Sequence, residues 1–195
     1  MIKNTQNKDL TFAVIAGGKS KRFGSNKLLH KFNGKRFIDF SLELGKSLTE
    51  NVVIIGDSDF PSDLNFPVIK DHYKDMGPLA AIYTALINSE TDFIAVTPGD
   101  MPLLKKEIYE ILLQNISAKK IIAAESEKGL EPLVSVWPKT AAAELKKFLE
   151  EDNLSIKSFL NSIGYISIEF KDDYQKYFAN INRLSELEEL KNSGS

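Results

Sequence analysis

Apolar residues along this chain fall into two rhythms. Short runs rich in valine and isoleucine occur at 11–16, 51–56, 66–70, 92–97, 120–124, 132–137 and 165–170. Runs of this length, apolar on both alternating faces, predict strands buried inside a covered sheet. Between them, the stretches 36–47, 78–89, 103–115 and 139–151 carry the period of three to four residues that predicts helices. Pro78 suits the first turn of its helix and Pro102 the approach to the next. Strands alternating with helices predict the α/β class, with a mainly parallel sheet covered on both faces. No internal repeat, low-complexity linker or domain boundary interrupts residues 1–190, and 191–195 read as a disordered tail. In open sheets of this class, ligands bind beyond the carboxyl ends of the strands. That singles out the loops after Ala16, Ile55, Lys70 and Thr97.

The first of these loops has its own chemistry. "FAVIAGGKSKRFGSNK", 12–27, sets Gly17, Gly18 and Gly24 together with Lys19, Lys21, Arg22 and Lys27 behind a buried strand. Glycine lets a ligand approach the main chain closely, and the cations supply charge to the same place. No acidic residue occurs in the 29 positions from Leu10 to Ile38, although the net charge of the protein is −2. A solvated basic face accounts for the charges alone. Glycines at the end of a strand, added to the charges, point to an anion site with a phosphate chain as its ligand. The near balance of charge argues against a general nucleic-acid binder. Hydrophobic content of 43% and charged content of 27% are those of an ordinary globular protein. No apolar stretch approaches the ~20 residues of a membrane span, and "MIKNTQNKDL" lacks the apolar core of a signal peptide. There is no cysteine, which excludes disulfides and thiolate metal sites. A cytoplasmic protein without nucleic-acid or membrane partners is expected.

Familiar phosphate loops do not fit residues 13–24. A Walker A loop fails because Ala13 replaces its first glycine, and neither GxGxxG nor GxSxG is present. Asp100, in "TPGDMPLL" just past a predicted strand, is a candidate magnesium ligand, since magnesium takes few carboxylates and completes its shell with phosphate oxygens. It is equally suited to cap the following helix. Asp71 has the same strand-end location in "KDHYKDMGPLAAI", and can serve as a turn or cap residue instead. His30 and His72 each stand alone, so no zinc site is expected, and no serine, histidine and aspartate set suggests a triad. Trp137 ends an alternating strand and reads as packing.

Four elements in order resemble one family. "IAGGKSKRFGSNK" is similar to the AGGxSxRMGxDK pattern of the molybdenum cofactor guanylyltransferases. "DHYKDMGPLAAI", "TPGDMPLL" and "NINRLSELEEL" resemble that family's later elements at comparable spacing. Phe23, Asn26, Glu131 and Arg183 depart from the pattern. The resemblance implies the nucleotide-diphospho-sugar transferase type of fold, a single-domain Rossmann-like three-layer sandwich. Its N-terminal part would bind GTP and its C-terminal part the acceptor. The implied reaction is attack by the terminal phosphate of molybdopterin, or its molybdenum form, on the α-phosphorus of GTP, with release of pyrophosphate. Implied catalytic residues are Arg22, Lys27 and Asp100, with Ile15, Ala16, Gly17, Gly18, Lys27, Asp71 and Asp100 contacting GTP. Asn180 and Asn182 fall to the acceptor, and Mg2+ to Asp100 with Asn182 as a further ligand. Other proteins of molybdenum cofactor biosynthesis are implied partners. A cytidylyl- or sugar-phosphate nucleotidyltransferase, or a non-catalytic GTP-binding regulator, would share many of these features.

Overall fold

Buried apolar strands need neighbours on both edges, and the strand with the most complete burial takes the middle of the sheet. β1 (Leu10–Ile15) is buried at every residue and pairs on either side. The structure, a computed structural model, describes residues 9–17, 27–32, 34–56, 60–73, 76–151 and 153–179. After β1 come β2 (Lys31–Phe32), β3 (Lys35–Arg36), α1 (Phe37–Leu48), β4 (Asn51–Ile55), β5 (Val68–Ile69) and α2 (Gly77–Asn88). Then follow β6 (Phe93–Pro98), α3 (Lys106–Gln114), β7 (Ile121–Ser126), β8 (Gly129–Pro138), α4 (Ala142–Glu150), α5 (Ile156–Ile163) and β9 (Tyr165–Glu169). Short 3-10 helices lie at Lys27–Leu29, Ser62–Leu64, Lys139–Ala141 and Asp172–Phe178.

The main sheet has the order β5-β4-β1-β6-β8-β7-β9, and β2 with β3 forms a separate small hairpin. β1, β4, β5 and β6 are mutually parallel. β8 runs antiparallel to both β6 and β7, while β9 is parallel to β7. The reversal of β8 has a local cause. Ser126 pairs with Gly129, so only Glu127 and Lys128 connect β7 to β8, far too few for a parallel crossover. The register then shifts between Ala123 and Ala124, opposite Ser135 and Glu131. Pro132, within that bulge, has no N–H to give to a ladder.

All seven predicted strands of the sheet are present, with ends shifted by a few residues. α3 begins at Lys106, three residues later than its pattern predicts. α5 is an addition to the predicted helices. It is capped at Ser155, whose hydroxyl accepts from the Ser158 N–H at 3.2 Å, and stops at Gly164, φ 75°.

The alternation of β1 divides the core. Leu10, Phe12, Val14 and Ala16 face α1 and α3, with Leu42, Tyr109, Leu112 and Phe170 in the same cluster. Ala13 and Ile15 face α2, α4 and α5, with Leu79, Ile82, Trp137 and Phe159. Trp137 is fully buried, stacks on Phe159 at 5.8 Å, and gives its indole N–H to the Ser135 hydroxyl at 2.7 Å, so it is packing.

α1 can lie this close to the sheet because of Gly45. A Cβ there would stand 2.6 Å from Phe12 Cδ1 and 3.1 Å from Val52 Cγ1. The Phe12 ring is itself wedged edge-on against Tyr109 at 5.0 Å. Gly45→Ala is expected to destabilise the protein by about 1–2 kcal/mol in urea unfolding, because overpacking of a dense core outweighs the ~1 kcal/mol helix-propensity gain. Equal midpoints for the two proteins would show that the ring gives way without cost.

Candidate active site

Going outward from β1, the sheet stays zipped for one residue beyond its strands. The Ala16 N–H donates to the Ile55 carbonyl at 2.8 Å, and the Gly99 N–H to the Ile15 carbonyl at 3.1 Å. The ends of β4, β1 and β6 thus form one edge. Gly56 sits where that edge is tightest, since a Cβ would lie 3.0 Å from the Ala16 carbonyl carbon and 3.1 Å from the Gly17 nitrogen. At Gly17, by contrast, a Cβ would meet nothing within 4 Å among the described residues. β1 is flanked by β4 on one side and β6 on the other, so the strand order reverses here. Such a switch point opens a crevice at the carboxyl ends.

Gly18, Lys19, Lys21, Arg22, Gly24 and Asn26 lie outside the described residues, as do Asn180, Asn182, Arg183 and the 191–195 tail. The 3-10 helix Lys27–Leu29 borders the crevice. Leu28 packs over Gly99, where a Cβ would be 3.0 Å from its Cδ1. Lys27 extends to Asp100, with 3.0 Å between Nζ and Oδ2. The lysine side chain is 9% exposed and that of Asp100 33%. Asp100 does not cap the following helix, whose N-cap is Lys105.

The strand that carries Asp100 is anchored from below. Ser41, buried on α1, reaches the Pro98 carbonyl at 3.3 Å. Tyr109, buried on α3, donates its hydroxyl proton to the Val96 carbonyl at 2.8 Å. Burial pushes the Tyr109 hydroxyl far above its ordinary range, so it remains a donor throughout the working range of pH. Neither residue stands out in the sequence, because each lies in an amphipathic helix where core and anchor look alike.

Asp71 follows β5 on the same edge of the sheet. Its Oδ1 lies 2.8 Å from the Thr84 hydroxyl of α2 and 3.3 Å from the Tyr73 N–H. The second contact is a turn made by the carboxylate around its own loop, so the turn role foreseen for Asp71 is present. Glu131 lies at the start of β8, the end that faces the carboxyl edge, and accepts the Ser126 hydroxyl at 2.8 Å. A separate cavity of about 640 Å³ opens at the amino end of the sheet, beside Asp9, Thr11, Asn51, Asn88 and Thr91. It is on the side opposite Asp100. Among the described residues, no helix is long and apolar enough to cross a membrane.

Residues 12–165 match the model of the MobA-like NTP transferase domain. The chain belongs to the MobA-like NTP transferase family. Among relatives of this MobA-like chain, an Aquifex aeolicus (strain VF5) protein bears the name "Probable molybdenum cofactor guanylyltransferase". The two are 32% identical over 189 residues, 96% of this chain and 93% of that protein. A crystal structure of a protein from Aquifex aeolicus VF5 superposes with a TM-score of 0.78 at 30% identity, covering 90% of this chain and 94% of the other. Molybdopterin-guanine dinucleotide biosynthesis protein A from Archaeoglobus fulgidus gives 0.77 at 22% identity, over 94% and 98%, and supports the fold. The fold is thus the mainly parallel α/β sandwich expected of MobA-like nucleotidyltransferases.

Removing the charge of Asp100 leaves the Lys27 ammonium buried without it. Asp100→Asn is expected to lower stability by about 1–2 kcal/mol in urea, less than the ~3–5 kcal/mol of a fully buried broken pair because Asp100 is partly exposed. Lys27→Met added to it should restore most of the loss. Additive losses in the double variant would show that the pair is not coupled.

Proposed function

We propose that this chain transfers the guanylyl group of GTP to the terminal phosphate of molybdopterin or its molybdenum form, releasing pyrophosphate. Membership of the MobA-like family and the name borne by the Aquifex aeolicus relative support the reading. The observation that carries it is the Lys27–Asp100 pair, one cation and one carboxylate meeting beyond the ends of β1 and β6. A triphosphate with a divalent ion needs both charges side by side.

The attacking group is a phosphate monoester whose second pKa is ~6. It is largely dianionic at neutral pH, so proton abstraction is not a task for this site. Positioning and charge neutralisation are. An acceptor oxygen bonds to the α-phosphorus while the bond to the bridging oxygen breaks, and pyrophosphate leaves with that electron pair. Main-chain N–H groups at Gly17 and Gly18, with Arg22 and Lys27, hold the β- and γ-phosphates. Ile15 and Ala16 border the guanine beside Gly56, and Asp71 takes the nucleoside side. Asn180 and Asn182 belong to the acceptor side in the C-terminal part of the domain.

Asp100, with Asn182 as a further ligand, would hold Mg2+, which when bound neutralises charge on the reacting phosphoryl group and the departing pyrophosphate. The residues fit that ion, which takes one or two carboxylates and completes its shell with phosphate oxygens and water. Among the described residues no group of three or more Asp, Glu or His stands ready to hold a metal alone. Lys27 lies 3.0 Å from Asp100, so its ammonium stands where it can also balance the charge of a bound phosphate. We place the reaction in the cytoplasm.

GTP with Mg2+ is expected to bind at least ~10-fold tighter than CTP or ATP, since a site built for guanine leaves polar groups unpaired around another base. Pyrophosphate should appear only when GTP, Mg2+ and molybdopterin are all present. Lys27→Ala and Arg22→Ala should weaken GTP far more than guanosine. Faster release with CTP would move the chain to cytidylyl transfer, and turnover with glucose 1-phosphate would overturn the acceptor.

A further inference from the structure

Thr84 stands in the middle of α2 at 1% exposure, among Leu79, Ala80, Ala81, Ile82, Ala85 and Leu86. A hydroxyl in such surroundings is costly unless it is hydrogen-bonded. Thr84 accepts the His72 main-chain N–H at 2.9 Å. Its Oγ1 also lies 2.8 Å from Asp71 Oδ1 and 3.0 Å from the Ala80 carbonyl. The hydroxyl has one proton for those two acceptors. A charged acceptor makes the stronger bond, so the proton goes to Asp71. One buried atom thereby holds two consecutive residues of the loop that follows β5: the side chain of the first and the main chain of the second.

That loop needs such an anchor. β5 is two residues long and pairs with β4 at only Ile54–Val68 and Ile55–Ile69. One further bond, from the Gly56 N–H to the Ile69 carbonyl at 3.1 Å, extends that pairing toward Asp71. We propose that Thr84 is a positioning residue for the nucleoside end of the site, fixing Asp71 Oδ1 and the His72 backbone so that the carboxylate is preorganised. The inference rests on the reading of Asp71 as a nucleoside contact. A carboxylate already held in place loses less side-chain freedom when the nucleoside arrives, and binding is tighter to that extent. The phosphate half of the site, at Gly17, Lys27 and Asp100, belongs to the loops after β1 and β6 and does not depend on this anchor.

Titration calorimetry with GTP, guanosine and pyrophosphate, each with Mg2+, tests this. Thr84→Val keeps the shape and removes the hydroxyl. It should weaken GTP and guanosine by ~10-fold or more, the scale of a lost hydrogen bond to a charged group, and leave pyrophosphate within ~2-fold. Thr84→Ser, which retains the hydroxyl, should stay within ~3-fold of the unaltered protein for all three. Asp71→Ala should reproduce the valine pattern, and the double variant should lose no more than Asp71→Ala alone. Thr84→Cys, similar in size but a weak hydrogen-bonder, should show a smaller loss in the same two ligands and serves if the valine variant does not fold. Unchanged GTP affinity in Thr84→Val or Thr84→Cys, with Asp71→Ala impaired, overturns the inference alone. Pyrophosphate weakened as much as GTP overturns it in favour of a general structural role. Asp71→Ala without effect on GTP or guanosine overturns both the placing of Asp71 and the anchor.

Discussion

An ammonium group almost shut off from water requires negative charge beside it, and at Lys27 Asp100 provides it at 3.0 Å. The requirement shapes the surroundings of both residues. Lys27 stands on the 3-10 helix that returns from the glycine loop, and Asp100 on the turn that leaves β6. Joining them fastens the two connections that flank the switch point of the sheet. The elements below are arranged to hold that turn still. Ser41 and Tyr109 occupy main-chain carbonyls of β6 from two different helices, and Leu28 covers Gly99. A charge pair in the crevice thus sits on a rigid base built from ordinary hydrophobic packing. Rigidity of that kind is what catalysis by positioning and electrostatics demands.

Much of this is readable in the sequence, and the parts that are not have physical causes. The inner strands of the sheet are visible because burial leaves them as short apolar runs bounded by polar residues, while the edge strands β5 and β9 are apolar runs that stay partly exposed. The direction of β8 is not, because it is set by the two-residue turn at Glu127 and Lys128 inside a polar stretch that looks like a longer loop. α5 is hidden by its length of eight residues, too few to display a period. Lys27 and Asp100 each stand out, one in a basic glycine loop and one at a strand end. Their meeting across 73 positions is a property of the fold alone. Thr84 has a faint signature, a hydroxyl in the middle of "PLAAIYTALI", and only its hydrogen bonds give it meaning. The assignment of guanine and of a pterin acceptor comes from family resemblance, since no side-chain pattern in the sequence specifies either one.

The central place of β1 also bears on how the chain reaches this structure. β1 precedes both of its partners, β4 by some 40 residues and β6 by some 80. Among the described strands of the sheet, β1 therefore waits the longest stretch of synthesis before both of its edges are covered. Until Phe93–Pro98 has emerged, one side of a strand that is buried at every residue has no native mate, and unpaired, mainly apolar edges invite association with other chains. The architecture that sets β1 between β4 and β6 thus makes cotranslational folding of this protein wait on its middle third.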